Sequence, residues 1–394
     1  MTSTRIIIVG GGFAGVKCAQ TLRKSRSSEV CDIVLFKREN HLVFHPLLPE
    51  VAGGSINADA VAVPLRQLLP AVRCRTETVT GIDLVSRTLR YESHDGGARQ
   101  MGYDHVVIAC GVTVDLGRVP GMIDHGFPLK TVGDAVVLRS HLMQLLEKAE
   151  VCEDPERRRQ YLSVVVVGGG HSGVETTGEI NDLLRGSRRF FPAISADDIS
   201  VTLVHRGRAL LPEASPRLRE VARLEMQAAG IEIRLGRSVD MVTADGVRLD
   251  DGRLLRCGTV VCTVGTSPAA VIDALGVARD DGRIETDPDM RVSGVEGAWA
   301  VGDCALNLNT LDQRPCPPTA QSAERQGRQV ADNIVRVLSG RPTRPLWIRP
   351  FGSSARSVGT TPWRICSGCG CRVSSPGSCG GACICSSCHH GRNG

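Results

Sequence analysis

The chain has 394 residues, room for two or three domains of ordinary size, each with its own core. Its 42% hydrophobic and 23% charged residues exclude a disordered chain and a membrane bundle, and no apolar run approaches the roughly 20 residues that cross a bilayer. A formal net charge of +5, scattered along the sequence, is too mild to argue for a nucleic-acid partner.

The first element follows at once. Met1-Thr2-Ser3-Thr4-Arg5 leads into Ile6-Ile7-Ile8-Val9, a strand with no cleavable signal ahead of it, so a cytoplasmic protein is expected. The strand enters Gly10-Gly11-Gly12-Phe13-Ala14-Gly15, and a helical stretch runs from Val16 to Leu22. In a turn of this kind Gly10 makes the tight bend, Gly12 lets the backbone approach a pyrophosphate, and Gly15 allows helix and strand to pack closely. The helix start at Phe13 and Ala14 offers free N–H groups and a positive dipole end to the phosphates. A second strand, Asp32 to Phe36, is followed by Lys37 and Arg38, which leaves Glu39 as the candidate acid for a ribose hydroxyl.

Further along, Arg139 to Leu162 supplies a connecting helix and a charged loop, Glu153 to Arg159. Leu162 to Val167 is nearly all β-branched and reads as a buried parallel strand. It enters a second glycine turn, Gly168-Gly169-Gly170-His171-Ser172-Gly173. One such turn is weak evidence; two, each with the right flanks, predict two bound dinucleotides and electron traffic between them. The helix after Gly173 carries Glu175 and Glu179 on one face. Glu175, at the helix start facing the pyrophosphate, is the candidate beside the nicotinamide and the first candidate catalytic residue; Glu179 is given no role. The next strand, Ser200 to Val204, ends at His205-Arg206-Gly207-Arg208. An acid there would repel the 2′-phosphate of NADP, and its absence leaves NADH and NADPH both open. His205 reads as a ribose or adenine neighbour or a strand-end polar residue.

Several later segments complete a pattern: His45-Pro46-Leu47-Leu48-Pro49-Glu50-Val51-Ala52, Tyr103 to Gly111, Thr259 to Gly265, Gly297 to Asp303, and Pro317 to Gly327. With both glycine turns, the chain resembles the type II NADH:quinone oxidoreductase family, within the two-dinucleotide-binding-domain flavoproteins, over roughly residues 4 to 345. The resemblance implies an α/β fold with two Rossmann-like three-layer domains. The FAD domain spans 1–135 and 284–345, the NAD(P) domain is inserted at 136–283, and 346–394 is an atypical tail. FAD belongs at the first turn, with Asp303 of Gly302-Asp303 on the flavin's ribityl chain. Ala109 and Gly111 lie in the segment returning to the flavin domain, Gly265 in its counterpart, and Pro46 beside the flavin ring. Ala320 and Gln321 resemble the segment where the ring meets the quinone, at the start of a helix from about Thr319 to Leu338. The family's usual Ala-Gln-x-x-x-Gln has Arg325 at its last position here and Gln326 one further on, so Gln321 is the candidate acceptor contact and the second candidate catalytic residue.

Membership implies hydride transfer from NADH or NADPH to the flavin and two electrons on to a quinone, without proton pumping and without an acid–base dyad. Rivals are a sulfide:quinone oxidoreductase, a soluble diaphorase and a redox-sensing flavoprotein. A disulfide reductase needs a close Cys pair after the first turn, and Cys18 and Cys31 lie in the wrong places. Cys110, Cys304 and Cys316 are the thiols a sulfide enzyme would use; Cys110 and Cys304 read instead as packing residues beside glycine motifs.

Nine of the sixteen cysteines are scattered before residue 345 and read as small buried hydrophobes, not disulfides. The other seven crowd between Cys366 and Cys388, where Cys, Gly and Ser fill 20 of the 29 positions to Gly394 and leave no amphipathic face. Zinc or iron–sulfur spacing is one reading. The favoured one is a shifted reading frame in a GC-rich gene, since only five of 47 basic residues are Lys, and no metal site is assigned. Family members usually end in membrane-docking helices. Membrane contact is therefore expected to be weakened or absent, with the protein in the cytoplasm or at the inner face of the cell membrane. A homodimer, common in the family, is not legible in these residues.

Overall fold

A computed structural model describes residues 4–25 and 31–348. The Cys-rich segment and both readings of it lie outside those residues.

Alternate residues of the opening strand, Thr4–Val9, feed two different cores. Ile6 and Ile8 pack with Ala14, Leu22, Val107, Trp299 and Val330, whereas Ile7 and Val9 pack with Phe36, Ile82, Leu89 and Tyr91. A strand buried on both faces must be apolar throughout, which explains the unbroken Ile-Ile-Ile-Val run. It is the centre of a parallel sheet in the order Ala298–Ala300, His105–Ile108, Thr4–Val9, Cys31–Phe36, Arg73–Arg75. The helices Phe13–Lys24 and Ala320–Leu338 cover one face, and the antiparallel meander Thr78–Asp83, Thr88–Glu92, Ala98–Gly102 contributes to the core on the other.

A second parallel sheet runs Gly126–Pro128, Thr259–Cys262, Ser163–Val167, Ser200–His205, Glu232–Leu235. The helix His171–Ser187 follows its central strand. The long helix Val132–Glu150 starts at a capping box in which Thr131 and Asp134 satisfy each other's backbone N–H groups. Among the described residues no helix is long and apolar enough to cross a membrane.

Two compact units result. Among the described residues, the first holds the chain up to Phe44, Asp59–Asp115, and Thr266 to Ile348; the second holds His45–Ala58 and Leu116–Gly265. These cuts differ from the expected 135/136 and 283/284. Pairing of Gly126–Pro128 with Thr259–Cys262 draws the chain after 115 into the second unit. Pairing of Thr266–Pro268 with Val112–Val114 draws residues from 266 into the first. The excursion at 45–58 joins the second unit because its helix, Leu48–Gly53, packs on His171–Ser187 and Val132–Glu150.

The first unit also reaches past 345. Leu346 and Ile348 are buried in its core. Two buried asparagines hold this stretch. Asn333 donates to the Arg344 carbonyl (2.9 Å) and accepts from the Arg344 N–H (2.9 Å). Asn309 does the same for Ile348, at 2.9 Å in both directions.

Candidate dinucleotide sites

The two glycine turns are built alike. Gly10 N–H donates to the Phe36 carbonyl and Gly168 N–H to the Val204 carbonyl, each at 2.9 Å, so each turn is pinned to the end of the neighbouring strand. Both glycines have positive φ, +115° and +126°. A methyl on Gly10 would strike the Ala109 carbonyl, and one on Gly168 the Thr263 hydroxyl. Gly15 and Gly173 are equally closed, since a Cβ on either would enter the carbonyl of Gly10 or Gly168. Gly12 and Gly170 are the opposite: nothing lies within 4 Å of the place a Cβ would take. Each is the N-cap of its helix, and neither helix start receives a side-chain cap. Uncapped N–H groups at an open backbone face are what a pyrophosphate requires, so both turns fit a dinucleotide.

Three of the expected segments meet at the first turn. The Ala109 carbonyl abuts Gly10, Gly302 lies against Ala14, and Gly327 of the Ala320–Leu338 helix packs on the Ala14 backbone. Phe13 meets Phe44 edge to face at 5.8 Å. Gly111 has positive φ and open space at its Cβ position. Glu39 sits 3.2 Å from the Lys37 ammonium and 3.8 Å from His41. Asp303 lies in the short turn Gly302–Cys304. Ala320 opens the last helix, behind the Thr319 cap, and Gln321 is exposed beside it. Pro46, by contrast, belongs to the 45–58 excursion of the second unit.

Gln326 is the residue that sequence reasoning undervalued. It is 3% exposed. Its Oε1 accepts from the Gly302 N–H (2.6 Å) and from Asn307 Nδ2 (3.1 Å), while its Nε2 donates to Ser322 Oγ (3.2 Å). With both ends of its amide engaged, it fixes the Gly302-Asp303 turn. Five of the nine described cysteines are buried, but Cys31, Cys110, Cys152 and Cys316 are partly exposed, correcting the uniform expectation; all nine are thiols. The Cys110 and Cys304 side chains hydrogen-bond each other, and that bond, with burial, holds the Cys110 thiol well above its ordinary range. Burial raises Cys316 as well. Raised thiols of this kind are poor nucleophiles. The same bond moves Cys304 the other way, lowering it, but its sulfur is fully buried and donates to the Ile108 and Val301 carbonyls, which fits packing rather than sulfide chemistry.

In the second unit His171 and Ser172 open the helix, and Thr177 Oγ1 donates to the Gly173 carbonyl at 2.6 Å. Thr263 Oγ1 donates to the Val167 carbonyl (2.8 Å), two residues before Gly265, which has positive φ. His205 turns back onto the turn: its Nδ1 accepts from the Gly169 N–H at 3.1 Å. Burial and then the charge of Arg206 push its pKa down, so the ring is neutral with its proton on Nε2. Glu175 has the largest consequence. Burial, reinforced by the charge of Glu179, raises its carboxyl to about 8. Glu179 accepts from Ser55 Oγ at 2.5 Å, and Gly53 packs against its side chain.

The family model for the pyridine nucleotide-disulphide oxidoreductases matches residues 4–327. The chain belongs to that family. An internal alternative NAD(P)H-ubiquinone oxidoreductase A1 from Arabidopsis thaliana mitochondria is 30% identical over 85% of this chain and 67% of its own length. A type II NADH:quinone oxidoreductase from Mycobacterium tuberculosis is 30% identical over 85% of this chain and 73% of its own. Within the family, the chain thus groups with the type II NADH:quinone oxidoreductases. The solved structure of NDH2 from Plasmodium falciparum in complex with NADH shares the fold at TM-score 0.83 and 18% identity, over 90% of this chain and 88% of that one. The α/β architecture of two parallel-sheet units is therefore that of the pyridine nucleotide-disulphide oxidoreductases.

Proposed function

We infer that the chain is an FAD-dependent NAD(P)H:quinone oxidoreductase with the net reaction NAD(P)H + H⁺ + quinone → NAD(P)⁺ + quinol. The single observation that carries this is the pair of open glycine turns on two separate parallel sheets, in a chain similar to NAD(P)H-ubiquinone and type II NADH:quinone oxidoreductases. FAD, when bound, supplies the two-electron chemistry that joins nicotinamide to quinone.

The first unit is the FAD unit in this reading. Gly10, Gly12, Phe13, Ala14 and Gly15 hold its pyrophosphate, Glu39 its ribose, and Ala109, Gly111, Gly302, Asp303 and Ala320 surround the rest. Gly168, Gly170, His171, Ser172, Gly173 and Gly265 take the coenzyme in the second unit. Glu175 lies beside the nicotinamide end. It keeps a proton on its carboxyl at neutral pH, so the start of the helix carries no anion to repel the pyrophosphate. Gln321 contacts the acceptor from the exposed first turn of its helix. A membrane quinone as acceptor sets the place of any peripheral contact, the inner face of the cell membrane, with the protein otherwise in the cytoplasm.

Anaerobic spectroscopy tests this reading. The purified protein should carry, or take up, flavin absorbance in the visible blue, lose it on adding NADH or NADPH, and regain it with a short-chain quinone. Protein that takes up no flavin, or whose flavin ignores both coenzymes, would overturn it.

A further inference from the structure

The rim beyond the strand Ser200–His205 carries two cations without partners. Arg206 and Arg208 are both exposed, and neither makes an ion pair or side-chain hydrogen bond among the described residues. Most arginines nearby are neutralised. Arg234 pairs with Glu232 at 2.8 Å, whose carboxylate also accepts from Thr202 at 3.0 Å. The loop at 236–237 is bonded to the same rim: Gly236 N–H donates to the Gly207 carbonyl (3.0 Å) and Arg237 N–H to the His205 carbonyl (3.2 Å). The Arg237 guanidinium, however, is engaged by Asp250 at 3.7 Å and Asp251 at 3.5 Å. Those carboxylates are thereby drawn to Arg237 rather than to Arg206 or Arg208.

No acid stands on the rim itself. The first carboxylate after the strand is Glu213. His205 does not fill the place of an acid, because its Nδ1 is committed to Gly169 and its ring is neutral. In a strand–turn–helix dinucleotide site this rim faces the adenosine ribose. A carboxylate there accepts from a 2′-hydroxyl and repels a 2′-phosphate, whereas exposed guanidinium groups do the reverse, offering charge-assisted, bidentate hydrogen bonds to a dianion.

We propose that Arg206 and Arg208 make the second site selective for a nucleotide bearing a 2′-phosphate, so that NADPH is the preferred reductant. The proposal rests on the reading of Gly168–Gly173 as the coenzyme site. The absence of an acid costs the protein its ribose hydroxyl acceptor, and the two arginines give the 2′-phosphate an attraction that NADH lacks. Selectivity comes from both.

The test is calorimetric titration of the FAD-loaded full chain with 2′,5′-ADP and with ADP, filling the first turn beforehand. Wild-type protein should bind 2′,5′-ADP about tenfold or more tightly than ADP, with the gap narrowing as salt is raised. In the double variant Arg206→Ala/Arg208→Ala the two titrations should become alike, and the ratio of kcat/KM for NADPH over NADH should fall in step. ADP binding as tightly as 2′,5′-ADP to the wild type, or a preference that survives in the double variant, overturns the proposal alone. If neither nucleotide binds the wild type, the coenzyme-site reading of the second turn fails and takes the proposal with it.

Discussion

Side by side, the turns at Gly10–Gly15 and Gly168–Gly173 agree wherever backbone meets backbone and part company wherever a side chain faces the ligand. In each, the outer glycines are forced by collisions with a carbonyl or hydroxyl, and the middle one opens on empty space. Two residues beyond the last glycine, however, the first helix carries Lys17 and the second Glu175. Over Gly11 lies a lysine stem, Lys37, and over Gly169 an imidazole, His205. Lys37 is paired with Glu39, while the rim after His205 has cations only. In the reading proposed above, phosphate binding is a property of the strand–turn–helix itself, and the choice of nucleotide is left to residues the turn does not constrain.

The most severe way to break this comparison is to close each turn separately. Gly15→Val should abolish flavin retention. Gly173→Val should leave the flavin colour and abolish its bleaching by NAD(P)H. Each forces a side chain into the backbone of its own turn. Absorbance before and after coenzyme addition reads both, and a Gly173→Val protein that emerges colourless would exchange the roles given to the two units.

A smaller effect is expected from what stands behind the first turn. Gln326→Leu leaves the Gly302 N–H and Asn307 without their shared acceptor in a buried place. Each orphaned group costs about 1–3 kcal/mol, so the variant should melt earlier and release FAD more readily. Nucleotide binding by the second unit should persist. A variant that keeps its FAD as firmly as the wild type would show that the Gly302 turn needs no such lock.

The gentlest probe exploits the Lys17–Glu175 difference. The folded-state pKa of Glu175 is raised from 4.5 to about 8, so the native protein binds a proton more tightly than the unfolded chain across that window. Stability from this group is present at low pH and is lost as pH rises through about 8. Glu175→Gln cannot ionise. Its melting temperature relative to wild type should therefore climb between about pH 5 and about pH 9. A difference that stays flat across that range would mean the carboxyl is ionised throughout and the helix start is negatively charged.

Much of this was legible in the sequence because it is local. The Ile6–Val9 run, the glycine spacing and the helix starts at the two glycine turns depend on neighbours a few positions apart, and appear where expected. The connecting helix instead begins at Val132, ahead of the expected Arg139, and the charged loop at 153–159 is mostly the helix Pro155–Tyr161, because Asp154 caps it. The unit boundaries were not legible, because they are decided by pairing between distant segments such as Gly126–Pro128 with Thr259–Cys262. The structural role of Gln326 went unread for a different reason. Read as a motif letter, it looks like a displaced glutamine; read as a helix position, it stands one turn from Ser322 and one from Val330, on the buried face. Following that face would have found it. The Cys110–Cys304 bond joins two loops far apart in sequence, and no spacing rule announces it. The rim at 206–208 was visible as a missing acid, but only the fold reveals that the nearby aspartates are already held by Arg237.

Asn309 and Asn333 work as a pair of clasps, each gripping the N–H and the carbonyl of one residue of the passing chain by both halves of its carboxamide. A protease nick between Gly340 and Arg344 would loosen the strap, free Leu346 and Ile348 from the core and cost two buried amides half or more of their partners. A nick just after Ile348 would leave every clasp shut. A gene shortened to end there should yield protein with the first unit intact, and one shortened to end at 340 should not.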